Sequence, residues 1–158
     1  MKTLVVYYSR TGNTKSVAEK VAQTLEAEIE EIVDEKNRHG WIGFLKAGYD
    51  ATVGNKTKIA ETKKDPREFD WIIVGTPVWN SRPSPAIRTY LSKNDLTGKR
   101  VTFFCTSLGM GEAKAIDRTK ALVSTGDFTE SLIMPRPNEN KADDEKKISE
   151  WISKIILI

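Results

Sequence analysis

A six-residue stretch of the sequence, residues 9–14, combines residue types that bind a phosphate group. It carries hydroxyls at Ser9, Thr11 and Thr14, an amide at Asn13 and a glycine between them. The stretch lies just before a helix-like segment, and a helix N-terminus offers unpaired N–H groups and a partial positive charge. The same residue types also serve as helix N-caps, but one such residue is enough for a cap. The excess of polar side chains therefore favours phosphate binding.

Several other phosphate-binding or related loops do not fit this stretch. A nucleoside-triphosphate loop needs the pattern G-x-x-x-x-G-K-[ST], whereas Asn13 follows Gly12 and no glycine precedes it. The dinucleotide pattern G-x-G-x-x-G is also absent. A phosphatase of similar topology would need a cysteine in the loop, and a receiver domain would need an acidic cluster where Tyr8 and Ser9 stand.

Two further loops contain unusual residues. In residues 75–85, Trp79 follows a buried strand, and its indole could stack on a flat ring or cover the edge of the sheet. Three prolines in this loop reduce the entropy lost when it binds a ligand. In residues 106–112, Gly109 and Gly111 flank Met110. Such a loop could turn backbone N–H groups toward ligand carbonyls, or it could be an ordinary turn between a strand and a helix.

The elements that must position these loops alternate between apolar runs and amphipathic segments. This alternation predicts an α/β fold in a single domain over residues 1–158, a three-layer doubly wound sandwich around a five-stranded parallel sheet. The strand orders 3-2-1-4-5 and 2-1-3-4-5 are both compatible, and the second would bring the three loops together at one edge. The predicted strands are residues 3–9, 27–33, 70–77, 100–106 and 131–135, and the predicted helices are residues 14–26, 41–51, 85–93, 112–124 and 140–158.

Together these features resemble the flavodoxin-like family, which binds flavin mononucleotide (FMN). The segment SRTGNT matches the family's phosphate loop, [S/T]-x-T-G-N-T, and TPVW matches the loop after strand 3 in one short-chain branch. The resemblance covers the whole chain and implies the order 2-1-3-4-5. It also implies a set of FMN-binding residues, with no protein catalytic residue and no metal. These are Ser9, Arg10, Thr11, Gly12, Asn13 and Thr14 at the phosphate, Thr76, Pro77, Val78, Trp79 and Asn80 on one side of the ring, and Thr106, Ser107, Leu108, Gly109 and Gly111 on the other.

The third loop and the residues after Trp79 depart from the family's pattern. Many flavodoxins stack a tyrosine from the third loop on the outer face of the flavin, and Leu108 or Met110 stands there instead. Many also have a glycine after the second-loop aromatic residue, where Asn80 and Ser81 follow here. Asparagine tolerates positive φ better than most residues, so a peptide flip at this point is possible but costlier.

Charge is the third departure. Electron-carrying flavodoxins tend to be acidic, whereas Arg10, Arg82 and Arg88 lie in or near the predicted site loops. A cation near the reduced ring stabilises the hydroquinone anion, so we expect a weaker reductant than in acidic flavodoxins. The formal net charge of +3 also suggests redox partner proteins with acidic docking surfaces, and it is too small to indicate nucleic-acid binding.

Composition places the chain among globular intracellular proteins. One cysteine, Cys105, excludes an internal disulfide, and the apolar run at residues 4–8 is too short for a signal peptide. We expect a cytoplasmic location without a membrane span, a buried Cys105, a core position for Trp151 and a solvated His39. The segment 41–51, with Trp41, Phe44 and Tyr49, could be core or border the flavin.

Three functions are compatible with this pattern. The first is an electron carrier that shuttles electrons between partner enzymes through FMN. The second is an FMN-dependent oxidoreductase that uses NAD(P)H or a quinone, and the third is a non-redox binding module that kept the fold. The intact phosphate loop and Trp79 disfavour the third, and the first is preferred over the second. The sequence leaves the oligomeric state open.

Overall fold

The computed structural model describes residues 1–35, 56–123 and 127–157. The strands are β1 (Thr3–Tyr7), β2 (Glu28–Glu31), β3 (Trp71–Trp79), β4 (Arg82–Pro83), β5 (Arg100–Ser107), β6 (Asp127–Phe128) and β7 (Leu132–Pro135). The helices are α1 (Asn13–Leu25), α2 (Pro85–Lys93), α3 (Glu112–Lys120) and α4 (Lys141–Ile155), with a short 3-10 helix at Pro66–Glu68.

The sheet is parallel except at one short strand. Strands β2, β1, β3 and β5 lie side by side in that order, and β6 and β7 both pair with β5. Tyr7 of β1 is in register with Gly75 of β3, and Pro77 of β3 is in register with Thr106 of β5. Counted by its five longer parallel strands, the sheet has the predicted order 2-1-3-4-5.

The strand count differs from the prediction in two places. Residues Arg82–Pro83 form an antiparallel strand against β3, so the second loop is a hairpin. The free edge of β5 is shared by two short strands: β6 pairs with its first residues, Arg100 and Val101, and β7 pairs with its last four. Because β5 is eight residues long and β7 only four, β7 leaves the start of that edge for β6.

Two apolar clusters hold helices against the two faces of the sheet. On one face, Val17 and Val21 of α1 and Trp151 and Ile152 of α4 pack with side chains such as Ile73. On the other face, Ile87 and Tyr90 of α2 and Ile116 of α3 pack with side chains that include Val6 and Val74. Alternate residues of each buried strand point to opposite faces, which gives the predicted three layers. The prediction that Trp151 is a core residue is confirmed.

The remaining predictions on elements have three outcomes. The helix 85–93 has the predicted bounds, whereas each of the other described elements differs from its prediction at one end or at both. The helix that starts at Glu112 ends at Lys120, earlier than predicted, and residues 121–123 continue as a turn. The predicted helix 41–51 and His39 lie outside the described residues. Within residues 1–35, 56–123 and 127–157, no helix has the length and apolar character of a membrane span.

Candidate functional site

Three loops meet at the carboxyl edge of the sheet because β1, β3 and β5 are neighbours and parallel. This is the edge at which doubly wound folds bind their ligands. A buried hydrogen bond of 2.8 Å joins the hydroxyls of Thr14, at the start of α1, and Thr106, near the end of β5. The sheet order therefore brings the first and third loops of the predicted site into direct contact.

The first loop leaves the start of α1 open to an anion. Gly12 is the N-cap residue, with φ of 91°, and no side chain caps the helix. The Gly12 N–H donates to Ser9 Oγ at 3.1 Å, and the first helical bond runs from Ser16 N to Gly12 O at 2.9 Å. The N–H groups of the first helical turn lack acceptors within the helix. The N-cap alternative is therefore not realised, although side chains suited to capping are present.

The space beside this helix start suits a phosphate. A methyl group built on Gly12 would meet no atom within 4 Å, and a left-handed φ at this position favours glycine. The surrounding donors are hydroxyl, amide and backbone N–H groups, which bind phosphate oxygens. The residues present therefore fit a phosphate monoester such as that of FMN. Lys15 also lies in the first helical turn. Because its ammonium group pairs with Glu31 at 3.4 Å, we do not count it among these donors.

Trp79, at the end of β3, contacts both an aromatic ring and a cation. Its indole makes an edge-to-face contact with Tyr8, with ring centroids 5.7 Å apart. The Arg10 guanidinium carbon lies 5.9 Å from the Trp79 ring centroid. Because Trp79 and Arg82 are paired across the hairpin, their side chains share one face of it. Arg10, predicted from its place in the phosphate loop, thus contacts the ring-side tryptophan.

The second loop is closed by a two-residue turn. Asn80 and Ser81 both have positive φ, 50° and 56°, between the paired residues Trp79 and Arg82. Two successive residues at positive φ characterise the type I′ hairpin turn. The expectation that Asn80 tolerates positive φ is confirmed. The buried Thr76 hydroxyl fixes the base of the loop, since it accepts from Ser84 N at 2.9 Å and donates to Pro77 O at 3.0 Å.

The third loop is ordered by Ser107. Its hydroxyl donates to Glu112 Oε1 at 2.5 Å and accepts from Gly109 N at 3.1 Å. Leu108 and Met110 between these anchors are 76% and 82% exposed. The third loop therefore exposes two large apolar side chains to solvent, at the positions where the sequence lacks an aromatic residue.

The tips of the second and third loops pack against each other. A methyl group on Gly111, which has φ of 81°, would lie 2.3 Å from Ser81 Oγ and 3.1 Å from Ser81 Cα. Arg118 of α3 donates from Nη1 to Ser81 O at 2.7 Å. The absence of a side chain at Gly111 is thus what allows the close approach of the two loops.

Burial changes the pKa of two groups near the site. It lowers the pKa of the Arg88 guanidinium, with a smaller contribution from the neighbouring charge of Arg82. Arg88 Nη1 is buried and has no hydrogen-bond partner among the described residues. Burial also raises the pKa of the Cys105 thiol to about 12, helped by Glu112, so the cysteine is a neutral core residue as expected.

Sequence reasoning missed a fourth segment at the site, residues 136–138, between β7 and α4. Arg136 Nε donates to Leu108 O at 3.2 Å, and Asn138 contacts the start of α1. Arg136 and Asn138 both have positive φ, 47° and 76°. The pattern Pro135-Arg136-Pro137-Asn138 indicates a turn, but nothing local in it indicates contact with residues more than a hundred positions earlier.

A family comparison agrees with the geometry of the loops. The sequence pattern of the family described as NADPH-dependent FMN reductase matches residues 1–138. The chain belongs to this family. The family description names FMN, which agrees with the cofactor predicted from the first loop. No curated protein sequence matches the chain.

Solved structures of the same fold cover nearly the whole chain. A flavoprotein from Lactobacillus acidophilus in complex with FMN is 24% identical, with a TM-score of 0.74, and the match covers 96% of this chain and 98% of that one. Flavodoxin 2 from Bacillus cereus is 19% identical, with a TM-score of 0.63 and full coverage of both chains. A Fusobacterium nucleatum flavodoxin bound to FMN is 16% identical, with a TM-score of 0.61 and coverage of 98% and 97%. The chain therefore has the flavodoxin-like fold.

Proposed function

We propose that this chain binds FMN at the carboxyl edge of its sheet and passes electrons through it. The observation that carries the proposal is the uncapped start of α1, with Gly12 at φ of 91° and open space beside it. A phosphate there would accept hydrogen bonds from the N–H groups of the first helical turn. Ser9, Thr11 and Asn13 would add side-chain groups to that shell.

The hydroxyl pair of Thr14 and Thr106 would link the phosphate to the ring-binding loops. A hydroxyl can donate and accept at once, so when Thr106 donates to Thr14, the Thr14 proton is available to a phosphate oxygen. Ser107 and Thr76 use their hydroxyls to hold their own loops. We therefore assign them loop-shaping roles, with the backbone of these loops facing the ring.

The ring would lie between the second and third loops. Trp79 and its neighbours Thr76, Pro77, Val78 and Asn80 line one side, and Thr106, Ser107, Leu108, Gly109 and Gly111 line the other. Bound FMN supplies one-electron and two-electron redox chemistry, and the protein sets its orientation, exposure and electrostatics. Arg10, 5.9 Å from the Trp79 ring centroid, and Arg82, paired with Trp79 across the hairpin, would stabilise negative charge on the reduced ring.

We propose electron transfer between partner proteins as the primary function. The observation that favours it is the exposure of Leu108 and Met110, two large apolar side chains of the third loop that a partner protein would cover. Arg136, whose Nε donates to Leu108 O, places a positive charge beside this apolar pair. An acidic partner surface with an apolar centre would complement it, because opposite charges steer encounter and fix orientation.

A two-electron oxidoreductase is the second candidate. The family description favours it, as does a third loop without an aromatic residue to cover the ring. Such an enzyme would use the uncovered ring face for its second substrate, NAD(P)H or a quinone. The same basic residues would then face an anionic substrate instead of an acidic protein.

Stepwise anaerobic reduction of the FMN-loaded protein distinguishes the two routes. The carrier proposal predicts that one-electron-reduced flavin accumulates and gives a long-wavelength absorption band before the colour bleaches. Direct bleaching from yellow to colourless would overturn the carrier proposal in favour of the oxidoreductase. Rapid bleaching by NADPH without a partner protein would point the same way. A protein that cannot be loaded with FMN would overturn both.

A further inference from the structure

Asn138 lies outside the three loops but grips the start of α1 at two points. Its Nδ2 donates to Asn13 Oδ1 at 3.1 Å, and its Oδ1 accepts from Ser16 Oγ at 2.9 Å. Asn13 and Ser16 are three residues apart, so both lie on the same side of the first helical turn. One side chain from the segment between β7 and α4 thus bonds to two residues of the first turn of α1, where the candidate phosphate site lies.

The backbone of Asn138 is held as firmly as its side chain. Its N–H donates to Asp144 Oδ2 at 2.7 Å, and its φ is 76°, a conformation that asparagine adopts more readily than most residues. Asp144 lies in the first turn of α4, whose N-cap is Asn140. Asn138 therefore connects the N-terminal ends of α1 and α4.

The bond to Asn13 sets the orientation of the Asn13 amide. An amide side chain has an acceptor oxygen on one branch and a donor nitrogen on the other. Since Asn138 donates to the oxygen, the Asn13 amino group is the branch available to a ligand. A phosphate requires donors, and the reversed amide would present an oxygen to an anion. We infer that Asn138 is a positioning residue for the phosphate: it holds Asn13 in its donor orientation and so increases the affinity for FMN. This inference rests on the proposed function.

If Asn138 positions Asn13 for the phosphate, its loss should affect FMN more than riboflavin, whereas a purely structural role would affect both ligands. FMN and riboflavin share the flavin ring and differ in the phosphate. Loss of the Asn138 side chain should weaken FMN binding through the phosphate and leave the ring contacts unchanged. Loosening of the whole loop region would instead weaken both ligands.

The test measures dissociation constants of FMN and riboflavin for the full chain by quenching of flavin fluorescence. Asn138→Gly keeps the positive φ and removes both side-chain bonds. We expect its Kd for FMN to rise about five- to tenfold, from one or two lost hydrogen bonds. The Kd for riboflavin should change less than about twofold. Ser16→Ala removes only one of the two bonds and leaves Asn13 held, so its loss of FMN affinity should be about twofold.

Asn140→Gly is the matched control. It removes the α4 cap, in which Asn140 Oδ1 accepts from Asp143 N at 3.4 Å, two residues away from Asn138 and without contact to Asn13. It should destabilise α4 and keep the wild-type ratio of the two dissociation constants.

An unchanged ratio in Asn138→Gly, or the same change in Asn140→Gly, would overturn the inference while leaving FMN binding itself intact. A wild-type protein that binds neither ligand would overturn the proposed function as well. If Asn138→Gly does not fold, Asn138→Ser, which removes the amide that donates to Asn13, decides the matter. An FMN-specific loss of affinity supports the inference, and no loss, or equal losses for both ligands, refutes it.

Discussion

Replacing Gly111 by alanine should disrupt the packing between the second and third loops. Two effects add. The left-handed φ of 81° costs an alanine about 1 kcal/mol, and the new methyl group would lie 2.3 Å from Ser81 Oγ. The oxygen can move, but Ser81 Cα, 3.1 Å away, belongs to the backbone of the hairpin turn. Forcing a methyl group into such a space costs roughly 1–3 kcal/mol, so the expected loss of stability is about 2–4 kcal/mol.

Gly109 provides the matched control for this prediction. It has φ of 105°, and a methyl group there would meet nothing within 4 Å. Gly109→Ala should therefore lose only the conformational term of about 1 kcal/mol. The change in unfolded-state entropy is the same in both variants and cancels in their difference. Urea denaturation measures both free energies of unfolding, and FMN titration measures the effect on the site.

Ser81→Gly tests the origin of the strain. It removes the Ser81 side-chain atoms that the new methyl group would meet, and glycine suits the φ of 56° at this position. In the Gly111→Ala background it should recover about half of the lost stability, since the methyl group then meets only the backbone of residue 81. Equal losses in Gly111→Ala and Gly109→Ala would refute the described packing of the two loops, as would a rescue no larger than the effect of Ser81→Gly alone.

Three further predictions concern charge, phosphate binding and the thiol. Arg82→Gln should lower the potential of the FMN hydroquinone couple by about 20–60 mV, measured by equilibration with redox dyes, and an unchanged potential would remove Arg82 from the electrostatic argument. Gly12→Ala and Gly98→Ala, at φ of 91° and 73° with open space at both, should lose similar stability in urea, but only Gly12→Ala should lose FMN affinity in a fluorescence titration. Because burial raises the pKa of Cys105 from 9.0 to about 12, the unfolded chain ionises first and stability falls as pH rises from 9 toward 12. Cys105→Ala should reduce the slope of stability against pH in that range, measured by urea denaturation, and an unchanged slope would contradict the burial argument.

The fold was predictable because its signals are local and strong. Continuous apolar runs identified the strands that are buried on both faces, and the helix at residues 85–93 has Pro85 in its first turn and Ser84 as its cap. The loops after these strands carried the polar residues and Trp79. The parallel alternation then required those loops to share one edge, as the hydrogen bond between Thr14 and Thr106 confirms.

The details that escaped prediction depend on weak or distant signals. The turn at Asn80 and Ser81 lacks the glycine that usually marks a two-residue hairpin, and its positive φ values are held by packing against Gly111 and a hydrogen bond from Arg118. The hydrogen bond between Asn138 and Asn13 spans 125 residues, so no pattern within either segment reveals it. Tertiary packing, which a single sequence does not display, determined both features.

Titration of the unmodified protein with FMN and with riboflavin tests the central claim most directly. The claim is that the start of α1 binds the FMN phosphate. Charge-assisted hydrogen bonds contribute about 1.5–3 kcal/mol each, so two of them predict FMN binding at least about 100-fold tighter than riboflavin binding. Equal affinities for the two ligands, or no binding of FMN at all, would contradict the account.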